Sequence, residues 1–297
     1  MEGQVCNYNP SDDGEDTIFS FVSRHHFQIV GFNNDSGKEQ VVGTCTLLKI
    51  DERIFLITAA HVMNERHNVR DNELWLWNYS DGSKITITED IICNPNLDVP
   101  HFSDVAVVEI DIKTYPSFNK KEFHDFCFLN LNRVLKELDY PILEDDTFAY
   151  LIAGYSSSQN KIIKSRYKKP KVFQHLTHPL PNIENNSPLS ILTLRGMWDS
   201  ENVSEPGKIL PKPQGMSGGG MWIVSTKSEY SPIFAGVSVA YLREEKAVLA
   251  VKATYILSMI KCFFPDVSLS EDDLPIKFFM ESEIDGSLLF LIPEQDD

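Results

Sequence analysis

The chain has 297 residues, 42% of them hydrophobic, and its 43 acidic and 27 basic residues give a formal net charge of −16 at pH 7. This length accommodates two packed β-barrels of about a hundred residues each with their connections. The acidic balance disfavours general binding to nucleic acids or anionic membranes, which carry the same sign of charge. No apolar run approaches the roughly 18 residues that cross a bilayer. We therefore expect a globular protein that binds neither nucleic acid nor membrane.

The amino terminus and the cysteines both indicate a cytoplasmic protein. The sequence begins Met-Glu-Gly-Gln-Val, without the basic and apolar regions of a secretory signal. The five cysteines are odd in number, scattered, and without a C-x-x-C pair, which predicts free thiols in a reducing compartment. Neither H-E-x-x-H, a P-loop nor a dinucleotide fingerprint is present, so we expect no metal and no other cofactor. The cysteines are Cys6, Cys45, Cys93, Cys127 and Cys262.

In chain order, an acidic arm (1–24) precedes short β-type segments separated by turn residues. These segments predict a first barrel over 25–115, a linker over 116–146 and a second barrel over 147–253. The predicted strands are 26–32, 41–50, 55–57, 74–78, 85–91, 105–110, 147–154, 190–194, 221–225, 233–241 and 247–253.

The last part of the chain (254–297) is predicted to form a helix followed by an acidic tail. The helix spans 254–264 and ends at Pro265, because apolar residues recur on one side and proline cannot continue the turn. Two further strands are predicted in the tail, at 277–280 and 287–292.

Two loop segments have compositions that bear on binding. The segment 178–215 is rich in Pro, Asn, Ser and Glu, and we expect it to shape substrate choice. The basic stretch 161–171 predicts a solvated surface hairpin or loop. The alternative is a docking site for an acidic partner or for the acidic arm of the chain itself.

Three segments supply a nucleophile, a base and an acid that orients the base. His61 ends an apolar run in Thr-Ala-Ala-His-Val (58–62), and Asp104 stands just before another such run. Ser217 lies in Gly-Met-Ser-Gly-Gly-Gly (215–220). Serine becomes a good nucleophile only when a base takes its proton, and that base needs a fixed tautomer. The three residues therefore predict acyl transfer by an activated serine.

The glycines around Ser217 predict an oxyanion hole. Glycine permits positive φ angles and close backbone approach, so successive N–H groups can converge on one point. Donors aimed at a developing oxyanion are often the largest catalytic contribution. The main-chain N–H groups of Gly215 and Ser217 are the candidates.

These segments resemble the motifs of the chymotrypsin-like (trypsin-like) serine proteases. Residues 58–61 resemble the histidine motif, Asp104 with 105–108 the aspartate motif, and 215–219 the G-x-S-G-G motif, in the order of that family. The resemblance covers roughly 27–262. It implies an all-β fold of two six-stranded antiparallel β-barrels with a C-terminal helix, and a catalytic triad in the cleft between the barrels. The α/β-hydrolase elbow fits poorly, because its acid and histidine follow the serine.

Two departures refine what the resemblance implies. Met216 stands where zymogen-activated members have an aspartate that pairs with a newly cut amino terminus, and His61 is followed by Val62 rather than by a disulfide-forming cysteine. The chain therefore resembles an intracellular, non-zymogen type, which folds directly to its active geometry or is switched by a regulatory protein partner.

The resemblance also implies where substrate binds. The substrate is a protein or peptide held as an extended strand against residues 237–241. Pro211 stands at the base of the implied specificity pocket, where no acid is present to attract Lys or Arg, so we expect a small or medium apolar preference. The implied substrate-binding residues are Pro211, Val237, Ser238, Val239, Ala240 and Tyr241.

The sequence thus predicts a serine endopeptidase that acts through an acyl-enzyme. Two alternatives stay open. One is a catalytically silent module with a protease fold that binds extended peptides. The other is a cytosolic effector that a partner or signal switches on, as in a bacterial stress or defence response.

Overall fold

A computed structural model describes most of the two predicted barrels and parts of the flanking segments. The basic stretch 161–171, residues 1–17 of the arm and most of the linker lie outside the described residues. Those described are 18–77, 84–87, 91–93, 104–110, 128–134, 148–158, 172–180, 193–198, 210–225, 232–270, 274, 280–282 and 288–290.

The described chain is mostly antiparallel β-structure with three short helices. The helices are α1 (Ile18–Ser23), α2 (Ala60–Asn64) and α3 (Ala253–Phe263). The strands are β1 (His26–Phe32), β2 (Glu39–Ile50), β3 (Arg53–Thr58), β4 (Trp75–Trp77), β5 (Lys84–Thr86), β6 (Ile91–Cys93), β7 (Ala106–Ile110), β8 (Leu129–Asn130), β9 (Phe148–Gly154), β10 (Phe173–Thr177), β11 (Thr193–Met197), β12 (Gly220–Ser225), β13 (Ile233–Leu242), β14 (Ala247–Lys252), β15 (Met280–Ser282) and β16 (Leu288–Phe290).

Two large sheets contain fourteen of these strands. The first has the order β5-β4-β1-β2-β3-β7-β6, and β8 pairs in parallel with β2 outside this path. The second has the order β10-β9-β12-β13-β14-β11, and its two edge strands approach each other at the bridge between Pro179 and Gly196. The predicted all-β fold of two antiparallel barrels with a C-terminal helix is confirmed. The first sheet has two short strands more than the six predicted.

The C-terminal segments follow the sequence pattern closely. Helix α3 begins at Ala253, and its residues 253–260 are buried against the second sheet. It ends where the Phe264 N–H donates to the Ile260 carbonyl, immediately before the proline. The tail contains a separate hairpin, β15–β16, in which β16 lies within the predicted segment 287–292 while β15 shares only residue 280 with the predicted segment 277–280.

Strand β10 is the main element that the sequence pattern did not predict. Its residues alternate between buried and more exposed positions, as in a half-buried strand. Two of the buried positions are polar, and contacts within the fold accommodate both: His175 packs edge-on against Trp198, and Thr177 donates to the Met197 carbonyl. Polar residues at core positions conceal the alternation on which strand prediction depends.

One hydrophobic core is continuous between the two sheets. Trp222 of β12 is fully buried and packs edge-on against His26 of β1. The indole N–H of Trp222 donates to Nε2 of His26 at 3.0 Å, and Nδ1 of His26 lies 3.1 Å from the Thr46 hydroxyl. An indole only donates, so Nε2 is an acceptor and the ring is neutral. This packing fixes how the two sheets sit against each other.

Within the described ranges, no helix is long and apolar enough to span a bilayer.

His26 makes the stability of the fold depend on pH. Burial, with a smaller contribution from His25, lowers the pKa of His26 to about 3 from the ordinary 6.5. Between these values the unfolded chain binds the proton and the folded chain does not, so the stability contributed by neutral His26 is lost as the pH falls below 6.5. From about pH 6.5 to about pH 5 the loss is about 2 kcal/mol. Urea unfolding at both pH values should show a loss smaller by this amount in His26→Gln. Equal pH dependence of the two proteins would contradict the assignment.

Candidate active site

Asp104 and His61 are held together at the start of α2. Oδ2 of Asp104 lies 2.6 Å from Nδ1 of His61, and Oδ1 accepts the His61 main-chain N–H at 2.8 Å. The Asp104 main-chain carbonyl accepts the N–H of Ala60 at 3.2 Å. An ionised carboxylate only accepts, so the proton between the two side chains belongs to Nδ1. Nε2 of His61 is thereby left as the nitrogen that can accept a proton.

The local sequence explains why this pair forms. The first N–H groups of a helix need acceptors, and the N-cap residue of α2, Ala59, offers no side-chain acceptor. Asp104 supplies the acceptors from the neighbouring strand, since β7 pairs with β3 and Asp104 lies just before β7. The side chain of His61 is 48% exposed and that of Asp104 20%. The carboxylate is thus partly shielded from solvent, while about half of the imidazole side chain is exposed.

The loop that carries Ser217 depends on its glycines. Gly215 and Gly218 have φ angles of +87° and +85°, in the left-handed region. A Cβ at Gly215 would lie 2.7 Å from the Tyr155 carbonyl oxygen, and a Cβ at Gly218 would overlap the Thr44 carbonyl oxygen. Glycine is therefore required at both positions by backbone conformation and by space.

Two N–H groups of this loop remain available for an oxyanion. The N–H groups of Met216, Gly218 and Gly219 donate to main-chain carbonyls at 2.9, 2.7 and 2.8 Å. The N–H groups of Gly215 and Ser217, the predicted oxyanion donors, have no hydrogen-bond partner among the residues that the structure describes.

Ser217 lies in the wall of a cavity of about 260 Å³. Among the described residues, no charged side chain lines it. The polar members of the wall are Gln214, Ser217 and Ser238, and the others are apolar: Ile152, Trp198, Pro213, Met216, Ala240, Tyr241 and Val248.

The structure divides the six predicted substrate-binding residues into two groups. Ser238, Ala240 and Tyr241 line the cavity. The side chains of Val237 and Val239 belong to the hydrophobic core, because side chains of a strand alternate between its two faces. Pro211, which the family resemblance placed at the base of the specificity pocket, is not in the cavity wall. Pro213 and Gln214 line the wall instead.

Six of the wall residues were not predicted as site residues, namely Ile152, Trp198, Pro213, Gln214, Met216 and Val248. Ile152 and Val248 belong to strands β9 and β14, whose apolar patterns indicate burial but not which cavity they face. Trp198 lies within the segment 178–215 that we expected to shape substrate choice, and it is 5% exposed. A tryptophan among Pro, Asn and Ser is the one signal in the sequence that could have indicated it.

The segments that carry His61 and Ser217 meet at Gly43 and Thr44. A Cβ on Gly43 would lie 2.5 Å from Cγ1 of Val62 and 3.2 Å from the Ser217 carbonyl oxygen. The Thr44 N–H donates to that same carbonyl at 2.9 Å. No hydrogen bond joins the side chains of Ser217 and His61 in this structure. Such bonds are often long in free enzymes and tighten when substrate binds.

No protein-family model and no curated protein matches the chain. Among solved structures, the chain is similar to a serine endoprotease from Yersinia pestis, with 13% identity and a TM-score of 0.45 over 86% of this chain and 68% of that chain. It is similar to the protease Anisep from Arthrobacter nicotinovorans, with 14% identity and a TM-score of 0.45 over 82% of this chain and 96% of that chain. A shared fold does not establish a shared function, which has to be argued from the site.

Replacing Gly218 tests how tightly the Ser217 loop is packed. Gly218→Ala should lower the free energy of unfolding by about 3 kcal/mol or more, since a left-handed φ costs about 1–2 kcal/mol and the overlap with Thr44 adds to it. Gly37→Ala is the matched control, because Gly37 also has a positive φ, +60°, but nothing lies within 4 Å of its Cβ position. It should lose only about 1–2 kcal/mol. Equal losses in urea unfolding would show that the packing around Gly218 is loose.

Proposed function

We propose that the chain is a serine endopeptidase in which Ser217 is the nucleophile, His61 the base and Asp104 the acid that orients the base. The observation that carries this proposal is the double contact of the Asp104 carboxylate with His61. It selects the tautomer in which Nε2 can accept the proton of a serine hydroxyl. Ser217, in the wall of an apolar cavity, is the serine that the sequence motif and the loop conformation favour.

The reaction proceeds in two halves. His61 accepts the Ser217 proton while Oγ bonds to the substrate carbonyl carbon, and the N–H groups of Gly215 and Ser217 stabilise the oxyanion. His61 then protonates the leaving amine, the peptide C–N bond breaks, and an acyl-enzyme remains. In the second half water attacks with His61 as base, and the carboxylic acid leaves as Ser217 regains its proton. The hydrogen bond between Ser217 and His61 forms as substrate binds.

The substrate is a protein or peptide that pairs as an extended strand with the end of β13. Among the described residues, β12 pairs with β13 only as far as Val237, whereas β14 continues to Leu242 on the other side. Beyond Ser238 one side of β13 is therefore open to a further strand. The side chain before the cleaved bond would enter the cavity, with Ala240 and Tyr241 in its wall.

We also propose that the protein acts in the cytoplasm and needs no cut amino terminus for activity. Met216 is 3% exposed and packs in the core, where an acidic side chain of a zymogen-activated enzyme would bind a terminal amine. Buried Cys45 and half-buried Cys262 are free thiols. If a partner or signal gates the activity, we expect it to act on the Ser217 loop, although the positive φ angles of Gly215 and Gly218 are already present.

The second candidate function is a silent module that captures extended peptides. It uses the same open side of β13 and the same cavity, without chemistry at Ser217. The observation that favours it is the missing hydrogen bond between Ser217 and His61.

A fluorophosphonate probe separates the two candidates. It should label the wild-type protein and not Ser217→Ala, because it reacts with an activated serine and mimics the tetrahedral intermediate. Asp104→Asn should slow labelling on the order of 10⁴-fold, since it favours the wrong tautomer of His61. Ser36→Ala, in an exposed turn, should be labelled as fast as wild type. No labelling of wild type, or equal labelling of Ser217→Ala, would favour the silent module.

The cavity wall predicts the preferred residue before the cleaved bond. Peptides with Leu or Met there should have kcat/KM values at least about 100-fold above those with Lys or Asp, because a buried unpaired charge costs several kcal/mol. Ala240→Val should shift the preference about tenfold from Leu towards Ala, because each added methyl group fills part of the cavity and leaves less room for the substrate side chain. Cleavage of a matched peptide series measures both effects. A preference for a charged residue would contradict the assignment of the cavity.

A further inference from the structure

Thr44 connects the first sheet to the loop that carries Ser217. It lies in β2 and is fully buried. Its hydroxyl donates to the Gly215 carbonyl at 2.8 Å and accepts the Tyr155 N–H at 2.9 Å. Its main-chain N–H donates to the Ser217 carbonyl at 2.9 Å, and its carbonyl accepts the Thr58 hydroxyl at 2.7 Å.

We propose that Thr44 is a positioning residue. From β2 of the first sheet, its hydroxyl fixes the loop 214–218, which carries the proposed oxyanion donors. This inference rests on the proposed function, because it concerns the same oxyanion site. Thr44 acts through the Gly215 and Ser217 peptides and does not touch the reacting atoms.

The loop contains four successive peptide groups from Gln214 to Gly218, each of which is planar and turns as one unit. The two that carry the oxyanion donors have the Gln214 and Met216 carbonyls at their other ends. Those carbonyls accept from Ser157 N–H and Gly219 N–H, both at 2.8 Å. These bonds hold the first and third peptide groups.

Thr44 holds the carbonyl ends of the other two peptide groups, whose N–H groups donate to the Pro213 and Ser238 carbonyls. Its hydroxyl binds the carbonyl of the Gly215–Met216 peptide, and its N–H binds the carbonyl of the Ser217–Gly218 peptide. The main-chain bond survives any substitution except proline, but the bond to Gly215 needs a side-chain donor. Among the described residues, Thr44 therefore supplies the only side-chain hydrogen bond to these four peptide groups.

The direction of the hydroxyl bond is fixed. The Tyr155 N–H can only donate, so it occupies an acceptor position on the Thr44 oxygen. The hydroxyl proton then points to the Gly215 carbonyl. If the hydroxyl is removed, the partly buried Gly215 carbonyl and the buried Tyr155 N–H both lose their partner. Gly215 has no Cβ to oppose rotation, so we expect its peptide to turn towards a new partner and the oxyanion N–H groups to lose their alignment.

Thr46 provides a matched control on the same strand. It lies two residues further along β2, so its side chain is on the same face, and it is also fully buried. Its hydroxyl bonds to Nδ1 of His26 within the first sheet. Thr46→Val therefore removes a buried hydroxyl of the same kind without touching the Ser217 loop.

The experiment compares wild type, Thr44→Val, Thr44→Ser and Thr46→Val. Each is measured for fluorophosphonate labelling rate, for kcat and KM on one apolar peptide, for the inhibition constant of the matching peptide aldehyde, and for urea stability. Thr44→Val should lower the labelling rate and kcat by about 10- to 100-fold and weaken aldehyde inhibition by a similar factor, with KM within about threefold. Thr44→Ser should restore these values to within a few-fold. Thr46→Val should lose stability but keep kcat within about threefold.

The outcomes separate this inference from the proposed function. Thr44→Val labelled as fast as Thr46→Val would overturn the positioning role and leave the proposed function standing. Wild type that no probe labels would overturn the proposed function, and the positioning role with it. If Thr44→Val does not fold, Thr44→Ala replaces it, since Ala and Ser at this position differ only by the hydroxyl. Equal rates for that pair would also overturn the inference.

Discussion

The hydrogen bond from the Thr44 N–H to the Ser217 carbonyl, 2.9 Å long, joins the two sheets at the point where the proposed chemistry takes place. The proposed base and acid lie beside strands β3 and β7 of the first sheet, and the proposed nucleophile lies just before β12 of the second, so their alignment depends on how the sheets meet. Trp222 and His26 stabilise this meeting from within the core through a buried hydrogen bond. The proposed catalytic geometry therefore depends on the packing between the sheets and not on any one loop.

The pairing of Asp104 with His61 shows how a structural need and a chemical need coincide. Helix α2 begins at a residue without a capping side chain, and Asp104 supplies acceptors to its first N–H groups. The same carboxylate binds Nδ1 of His61. Removing it would leave the helix start without its acceptor and the imidazole without its orientation. An aspartate at this position thus serves folding and the proposed reaction together.

The sequence predicted these features to the extent that each depends on local pattern. Strand β1 and helix α3 were predicted within one residue of their bounds, because apolar periodicity and proline mark their ends. Strand β10 was missed because its inward positions include His175, which a distant tryptophan accommodates. Thr44 was noted only as part of a strand. Its role arises from contacts with residues more than a hundred positions away, which no local pattern contains.

The cavity wall illustrates the same limit. Motif spacing predicted Ser238, Ala240 and Tyr241 as substrate-binding residues on the strand next to Ser217, and in the structure they line the same cavity as Ser217. Motif spacing could not indicate Trp198, because this residue reaches the cavity through tertiary packing from the segment 178–215. A preference for apolar substrate residues was predicted because no acid stands at Pro211. The described cavity wall favours the same preference, but through residues other than Pro211.

The structure of the protein after reaction with a phosphonate tests the account most directly. We predict phosphorus bonded to Ser217 Oγ, with the phosphoryl oxygen about 2.7–3.1 Å from the N–H nitrogens of Gly215 and Ser217. We also predict Nε2 of His61 within hydrogen-bonding distance of Ser217 Oγ. Phosphorus on another residue, or a His61 ring that stays out of reach of Ser217 in the adduct, would contradict the account.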